Sequence, residues 1–209
     1  RKNLLKQYLP GIIAFVVVYL FATIFRDIRD NFSADMWKEM GYASRPAVFT
    51  ETETPITILI LVLIGAMVAI KNNFKALMVA HAFIMIGFII AGVSTYYFTQ
   101  HLLDPFWWMM LVGLGLYLVY IPFNSIFFDR LIAAFSMKGN VGFFIYVADS
   151  VGYVGSVSVM LVKEGMTLKI QWTSFFSQSV ILLSFVGVFI TAYSVYYFFS
   201  KSKTTPLMQ

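Results

Sequence analysis

Four ionisable side chains crowd into "FRDIRD", namely Arg26, Asp27, Arg29 and Asp30, directly after an apolar run. A fifth, Asp149, stands alone in the apolar stretch "VGFFIYVADSVGYVGSVSVM". Guanidinium groups hold anions or pair with carboxylates, and a solitary carboxylate in apolar surroundings marks a proton relay, a solute site or a hydrogen-bonded helix contact. Such groups cost about 2.5–3.5 kcal/mol each at the centre of a membrane helix, so they face protein or water rather than lipid. At 100° per residue, Arg29, Arg26, Asp30 and Asp27 fan across about 160° of one helix side. The three- and four-residue spacings among them allow ion pairing from turn to turn, Arg26 to Asp30 included. Two readings follow: the exposed outer end of a helix with paired charges, or charges that line a polar cavity or latch the helix to a neighbour.

Tyr146, Asp149, Tyr153 and Ser156 recur at spacings of three and four, which predicts one polar stripe on a helix. Ala148, Gly152 and Gly155 form an adjacent strip of small residues suited to close helix contact. The stripe serves either as a structural hydrogen-bond node or as a proton- or substrate-coupling site centred on Asp149. Glu51 and Glu53 precede Pro55, two residues apart, so they point about 200° away from each other and at most one reaches a given cavity. In "GLGLYLVYIPFNSIFFDRL", Pro122 breaks the backbone ladder beside Tyr117, Tyr120 and Asn124. Broken membrane helices tend to mark binding sites, because the freed carbonyls need partners. Asp129 and Arg130 follow as an expected interfacial salt bridge or gate, and His81 reads as a packing residue rather than a ligand.

The elements that carry these groups are membrane helices. Of the 209 residues 60% are hydrophobic and 12% charged, with a mean hydropathy of +0.80, whereas soluble domains carry about 25% charged residues. Six apolar segments, about 9–30, 47–70, 76–99, 106–128, 141–162 and 172–199, predict an all-α polytopic bundle of six transmembrane helices. Alternating ten-residue segments of a membrane barrel are not present. With no Gly or Pro between Ile12 and Met40, the first helix runs straight through its charges. The apolar part of the second, 55–70, is too short to cross, so its start is placed at Pro46 with Ser44 near the cap and Pro55 as an internal kink.

With the N-terminus inside, the cytoplasmic segments hold nine basic residues (Arg1, Lys2, Lys6, Lys71, Lys75, Arg130, Lys138, Lys201, Lys203) against the acid Asp129. The other side holds six (Arg26, Arg29, Lys38, Arg45, Lys163, Lys169), which favours both termini in the cytoplasm. A chain beginning at Arg1 rather than Met is expected to be a fragment, a processed product or preceded by further residues. No cysteine is present, which excludes thiolate metal sites; no metal and no cofactor is expected. Enzyme readings fail: "GYVGS" places no histidine after Ser156, and no nucleotide loop, HExxH motif or Cys/His cluster occurs. Basic residues are scattered at span ends, so no nucleic-acid partner is expected.

The segments "FRDIRDNFSADMW", "NNFKAL", "GLGLYLVYIPFNSIFFDRLIAAF" and "GNVGFFIYVADSVGYVGS" resemble a domain-of-unknown-function family of bacterial membrane proteins placed in the major facilitator superfamily. The resemblance runs along nearly the whole chain and is to the C-terminal six-helix half. It implies a bacterial cytoplasmic (inner) membrane protein, partnered by lipid and by an N-terminal six-helix half or another membrane subunit. Its members have no assigned substrate. The inter-helix basic motif is faint, confined to Gly65, Lys71 and Lys75 in "GAMVAIKNNFKA". The resemblance further implies that helices 1 and 4 line a central cavity, helices 2 and 5 make rocking contacts, and helices 3 and 6 face lipid. Arg26, Asp30, Tyr120 and Asn124 are then cavity residues, and Asp149 and Glu53 lie between the halves.

The functional expectation is a secondary transporter moving a small polar or anionic solute by alternating access. Asp149 and Glu53 are its proton-coupling candidates, Arg26 and Arg29 its anion attractors, and Asp27 and Tyr153 further site candidates. The rival is a non-transporting scaffold or complex subunit built on the same fold.

Overall fold

The computed structural model describes residues 2–135, 141–165 and 171–204, and within these the side chains of 2–9, 141–145, 148, 162–165 and 204 lie outside the description. The described residues form helices and no strand: α1 (Lys2–Glu39), α2 (Ala47–Val68), α3 (Asn73–Thr99), α4 (Pro105–Pro122), a wide π-turn (Phe123–Phe127), α5 (Phe128–Ala134), α6 (Val141–Gly165) and α7 (Trp172–Thr204). Among the described residues five helical stretches are long and apolar enough to cross a membrane: Pro10–Glu39, Ala47–Val68, Asn73–Thr99, Pro105–Ala134 and Trp172–Lys203. The chain is a multi-pass helical membrane protein.

Local chemistry sets the helix ends. Gly41, at φ 89°, ends α1 in the left-handed region that only glycine enters freely, and Tyr42 N–H then donates back to the Trp37 carbonyl. Pro46 opens α2, and Pro55 lies inside that helix. Asn72 caps α3 by accepting from Lys75 N–H at 2.8 Å, while Asp104 caps α4 by accepting from Phe106 N–H at 2.8 Å, with Pro105 in the first turn. Pro122, which has no N–H to give, closes α4 and leads into the π-turn.

The core is aromatic. Phe15 of α1 stacks on Phe123 and Phe127 of the π-turn, with ring centroids at 5.1 and 4.1 Å. Trp108 of α4 stacks on Phe98 at 3.8 Å and donates its indole N–H to Thr95 at 3.0 Å. Where α3 crosses α4 the backbones touch: a Cβ on Gly87 would meet the Gly115 carbonyl oxygen at 2.6 Å. α3 is buried along Leu77, Ala80, His81, Ile84 and Phe88, and exposes Ile86, Ile89 and Val93 on its other side. His81 is sealed and spends both ring nitrogens, one on the Leu77 carbonyl (2.8 Å) and one on Ser194 of α7 (3.0 Å). α2 leans on α4 through a small cluster of Ile56, Ile60 and Leu118.

The orientation argument rests partly on Arg1, Lys138 and Lys169, which lie outside the described residues, as do the side chains of Lys2, Lys6 and Lys163.

Candidate functional site

α1 carries a polar stripe at helical spacing, Tyr19, Thr23, Arg26 with Asp27, then Arg29 with Asp30. The stripe faces protein rather than an exposed helix end. Arg26 sits 13 residues before Glu39, about 20 Å down the axis of a span about 45 Å long. The neighbouring helices answer these charges in two nodes.

The first node is built on a buried cation. Arg29 is 2% exposed, and its Nη2 donates to Glu53 of α2 at 2.6 Å and to the Met109 carbonyl of α4 at 3.0 Å, while Nη1 reaches Asp30 at 3.3 Å. Tyr117 donates its hydroxyl to the other Asp30 oxygen at 3.1 Å. The guanidinium lies flat against Gly113: an added Cβ there would meet Arg29 Nε at 2.8 Å and its Nη2 and Cζ still closer. Three helices are thus pinned by one side chain. The second α2 carboxylate points away, Glu51 pairing with Arg45 at 2.6 Å, as the two-residue spacing requires.

The second node is open. The guanidinium of Arg26 pairs with Asp27 and lies over the Tyr120 ring at 3.7 Å from its centroid, a cation–π contact. Ser156 donates to the other Asp27 oxygen. Tyr19 donates to Asp149 Oδ1. The Asn124 amide nitrogen lies 3.0 Å from both the Tyr19 and Tyr120 hydroxyl oxygens and 3.4 Å from Asp149 Oδ1. α6 reaches this close because it offers glycine: a Cβ on Gly152 would meet Thr23 Cγ2 at 2.9 Å, and one on Gly155 would press on the Ile24 side chain. These groups border a cavity of about 340 Å³ lined by Thr23, Arg26, Asp27, Tyr120, Asp149, Ser150 and Tyr153. A larger cavity, about 670 Å³, lies at the far end of α1 between α3 and α7. Its Glu39 carboxylate is spent on the backbone N–H groups of Trp172 and Thr173, at 2.9 and 2.8 Å, so it is the capped entry of α7 rather than a charged site.

Several expectations change on this geometry. Arg26 and Arg29 pair with the adjacent Asp27 and Asp30 instead of from turn to turn, because each guanidinium is drawn sideways, onto Tyr120 or into the Gly113 slot. The polar stripe of α6 divides: Asp149 and Ser156 turn to α1, while Tyr146 and Tyr153 are exposed, and the Ala148 side chain lies outside the described residues. The ion pair expected between Asp129 and Arg130 is replaced. Arg130 is drawn to acceptors on neighbouring helices, Asn73 Oδ1 at 2.9 Å and the Val68 carbonyl at 3.5 Å, leaving Asp129 exposed. Within this bundle Glu53 meets Arg29 and Asp149 meets Tyr19. Among the described residues no group of three or more potential metal ligands is found. Tyr19 and Gly113 escaped notice in the sequence. Tyr19 was readable as the continuation of the α1 stripe, whereas nothing local marks Gly113.

A model of DUF5690, a family of unknown function, matches residues 1–201. The chain belongs to this family. The DUF5690 description carries no activity and no tie to the major facilitator superfamily. Searches of curated proteins and of solved structures each gave no match. The site of this DUF5690 member is therefore read from its own geometry: two guanidinium groups and four carboxylates (Asp27, Asp30, Glu53, Asp149) gathered by α1, α2, α4 and α6 inside a membrane bundle.

Proposed function

We propose that this chain is a secondary-transporter-like membrane protein, with six spans including α6, moving a small polar solute by alternating access through the cavity between α1, α4 and α6. The observation that carries the reading is the openness of the charged Arg26–Asp149 node within a bundle of long apolar helices. A lipid-facing surface rejects ionised groups, so the open side of the cavity is covered by water or by a second polar protein surface. α1 and Tyr120 of α4 line the cavity together with α6, the first two as a facilitator half would use them, and a second six-helix half would complete it. The anionic branch of the expectation loses support, since both guanidiniums are already engaged by carboxylates. A bacterial inner membrane with both termini cytoplasmic fits the distribution of basic residues.

A scaffold role draws its support from Arg29, which is buried and bridges three helices as a structural latch does. The two readings part on water. Cysteine placed at Tyr120 or Asn124, in a chain with none of its own, reacts with membrane-impermeant thiol reagents if the cavity is a transport route. Protection from such reagents in every condition leaves the scaffold.

A further inference from the structure

The cavity's charge is unbalanced. Arg26 is offset by Asp27, to which both its Nε and Nη2 are directed, and its face is stacked on Tyr120. Asp149 receives hydrogen bonds from Tyr19 and Asn124, neither of them charged. Oδ1 takes the Tyr19 proton, and Oδ2 has only the amide nitrogen at 3.5 Å. One negative charge is thus left on the cavity wall. The groups beside it are the Thr23 and Ser150 hydroxyls, which have lone pairs to give, and Tyr153, whose side chain is largely exposed and whose ring faces are electron-rich. Thr23 already directs its proton to the Tyr19 carbonyl at 2.9 Å, so its oxygen can only accept from a ligand. The unspent capacity of the wall is for donors carrying positive charge. A bare metal ion would need six or so oxygen ligands, and a sugar would leave the carboxylate's charge without a counterpart.

We propose that the Asp149 cavity receives a small organic ammonium ion, its N–H protons on Asp149 Oδ2 and the Thr23 and Ser150 hydroxyls, its charge and alkyl part against the Tyr153 ring. The proposal rests on the reading of the cavity as a solvated transport site. About 340 Å³ suits a solute of a few heavy atoms with its remaining water. The Tyr120 face is closed to it, because Arg26 and Tyr19 already lie against that ring.

The test uses the full chain in lipid nanodiscs with Ser150→Cys, labelled in parallel by a trimethylammonium and a sulfonate thiosulfonate reagent, with exposed Leu102→Cys as reference. The cationic reagent is expected to gain about tenfold over the anionic one at Ser150→Cys relative to Leu102→Cys, as fields focused in a charged cleft do. The gain should vanish on adding Asp149→Asn. Butylammonium chloride should protect Ser150→Cys, while sodium chloride and sodium butyrate at equal concentration should not. The protection arm needs no change at Asp149 and stands even if Asp149→Asn fails to fold. Equal reaction with both reagents, equal protection by sodium, or a cation preference without butylammonium protection overturns the ammonium assignment and leaves the wet cavity intact. Failure of both reagents to react overturns the cavity reading and the assignment with it.

Discussion

Gly113→Ala puts a methyl group where the Arg29 guanidinium now lies, with Nε 2.8 Å away and Nη2 and Cζ closer. Arg29 is boxed in at 2% exposure and has no free direction in which to yield, so it must leave its slot. Losing the buried bond to the Met109 carbonyl costs about 1.5–3 kcal/mol, the usual value for a charged donor. The pairs with Glu53 and Asp30 contribute less, about 1 kcal/mol or under each, because those carboxylates are 41% and 37% exposed and screened. Against this, alanine is the better helix former by about 1 kcal/mol. The balance is a loss of about 2 kcal/mol. Gly65→Ala, with nothing within 4 Å of the added carbon, keeps only the helix gain and is the matched control. The assay is reversible unfolding of the full chain in mixed micelles, titrated with a denaturing detergent. In an Arg29→Ala background the Gly113→Ala cost should disappear, since the clash partner is gone. A Gly113→Ala midpoint equal to that of Gly65→Ala, or a cost that persists without Arg29, refutes the slot.

Two further outcomes can be checked with the same preparation. Glu39→Gln keeps one acceptor but cannot serve both the Trp172 and Thr173 N–H groups; it should lower stability by about 1 kcal/mol, the value of a helix cap, and an unchanged midpoint would show the cap to be idle. Tyr42, in the α1–α2 connection, has its phenol pushed above the ordinary 10.0 by burial and then by the Asp104 carboxylate, 3.3 Å away. The raised value favours the neutral phenol in the fold, so its contribution is full below about pH 10 and fades as pH rises through the folded value. The stability difference between the native chain and Tyr42→Phe should therefore shrink in that window; a difference that grows there contradicts the sign.

The sequence revealed the features that depend on neighbours along the chain. The opening of α2 at Pro46 followed from span length, the interruption of α4 from the missing N–H of Pro122, and the opposite aims of Glu51 and Glu53 from 100° per residue. What stayed hidden depends on which helix lies beside which. Arg29 finds Glu53 across 24 residues and Met109 across 80, and Tyr19 finds Asp149 across 130. No periodicity encodes those partners. Gly113 looked like one more small residue in an apolar run, because its meaning is the shape of a guanidinium that arrives from another helix. Arg130 illustrates the same limit, since the nearest opposite charge in sequence is not the nearest acceptor in space.

The wide turn at Phe123–Phe127 has a mechanical corollary. A rod of uniform four-residue bonds passes torque from end to end, whereas a five-residue loop in it is slack that can be taken up or paid out by one residue of rise, about 1.5 Å. The stretch bearing Gly113 is riveted to α1 on one side of that slack, and the stretch bearing Asn124 and Arg130 lies within or beyond it. Phe123 and Phe127 within the turn also stack on Phe15 of α1, so any change of register there has to repack that aromatic stack.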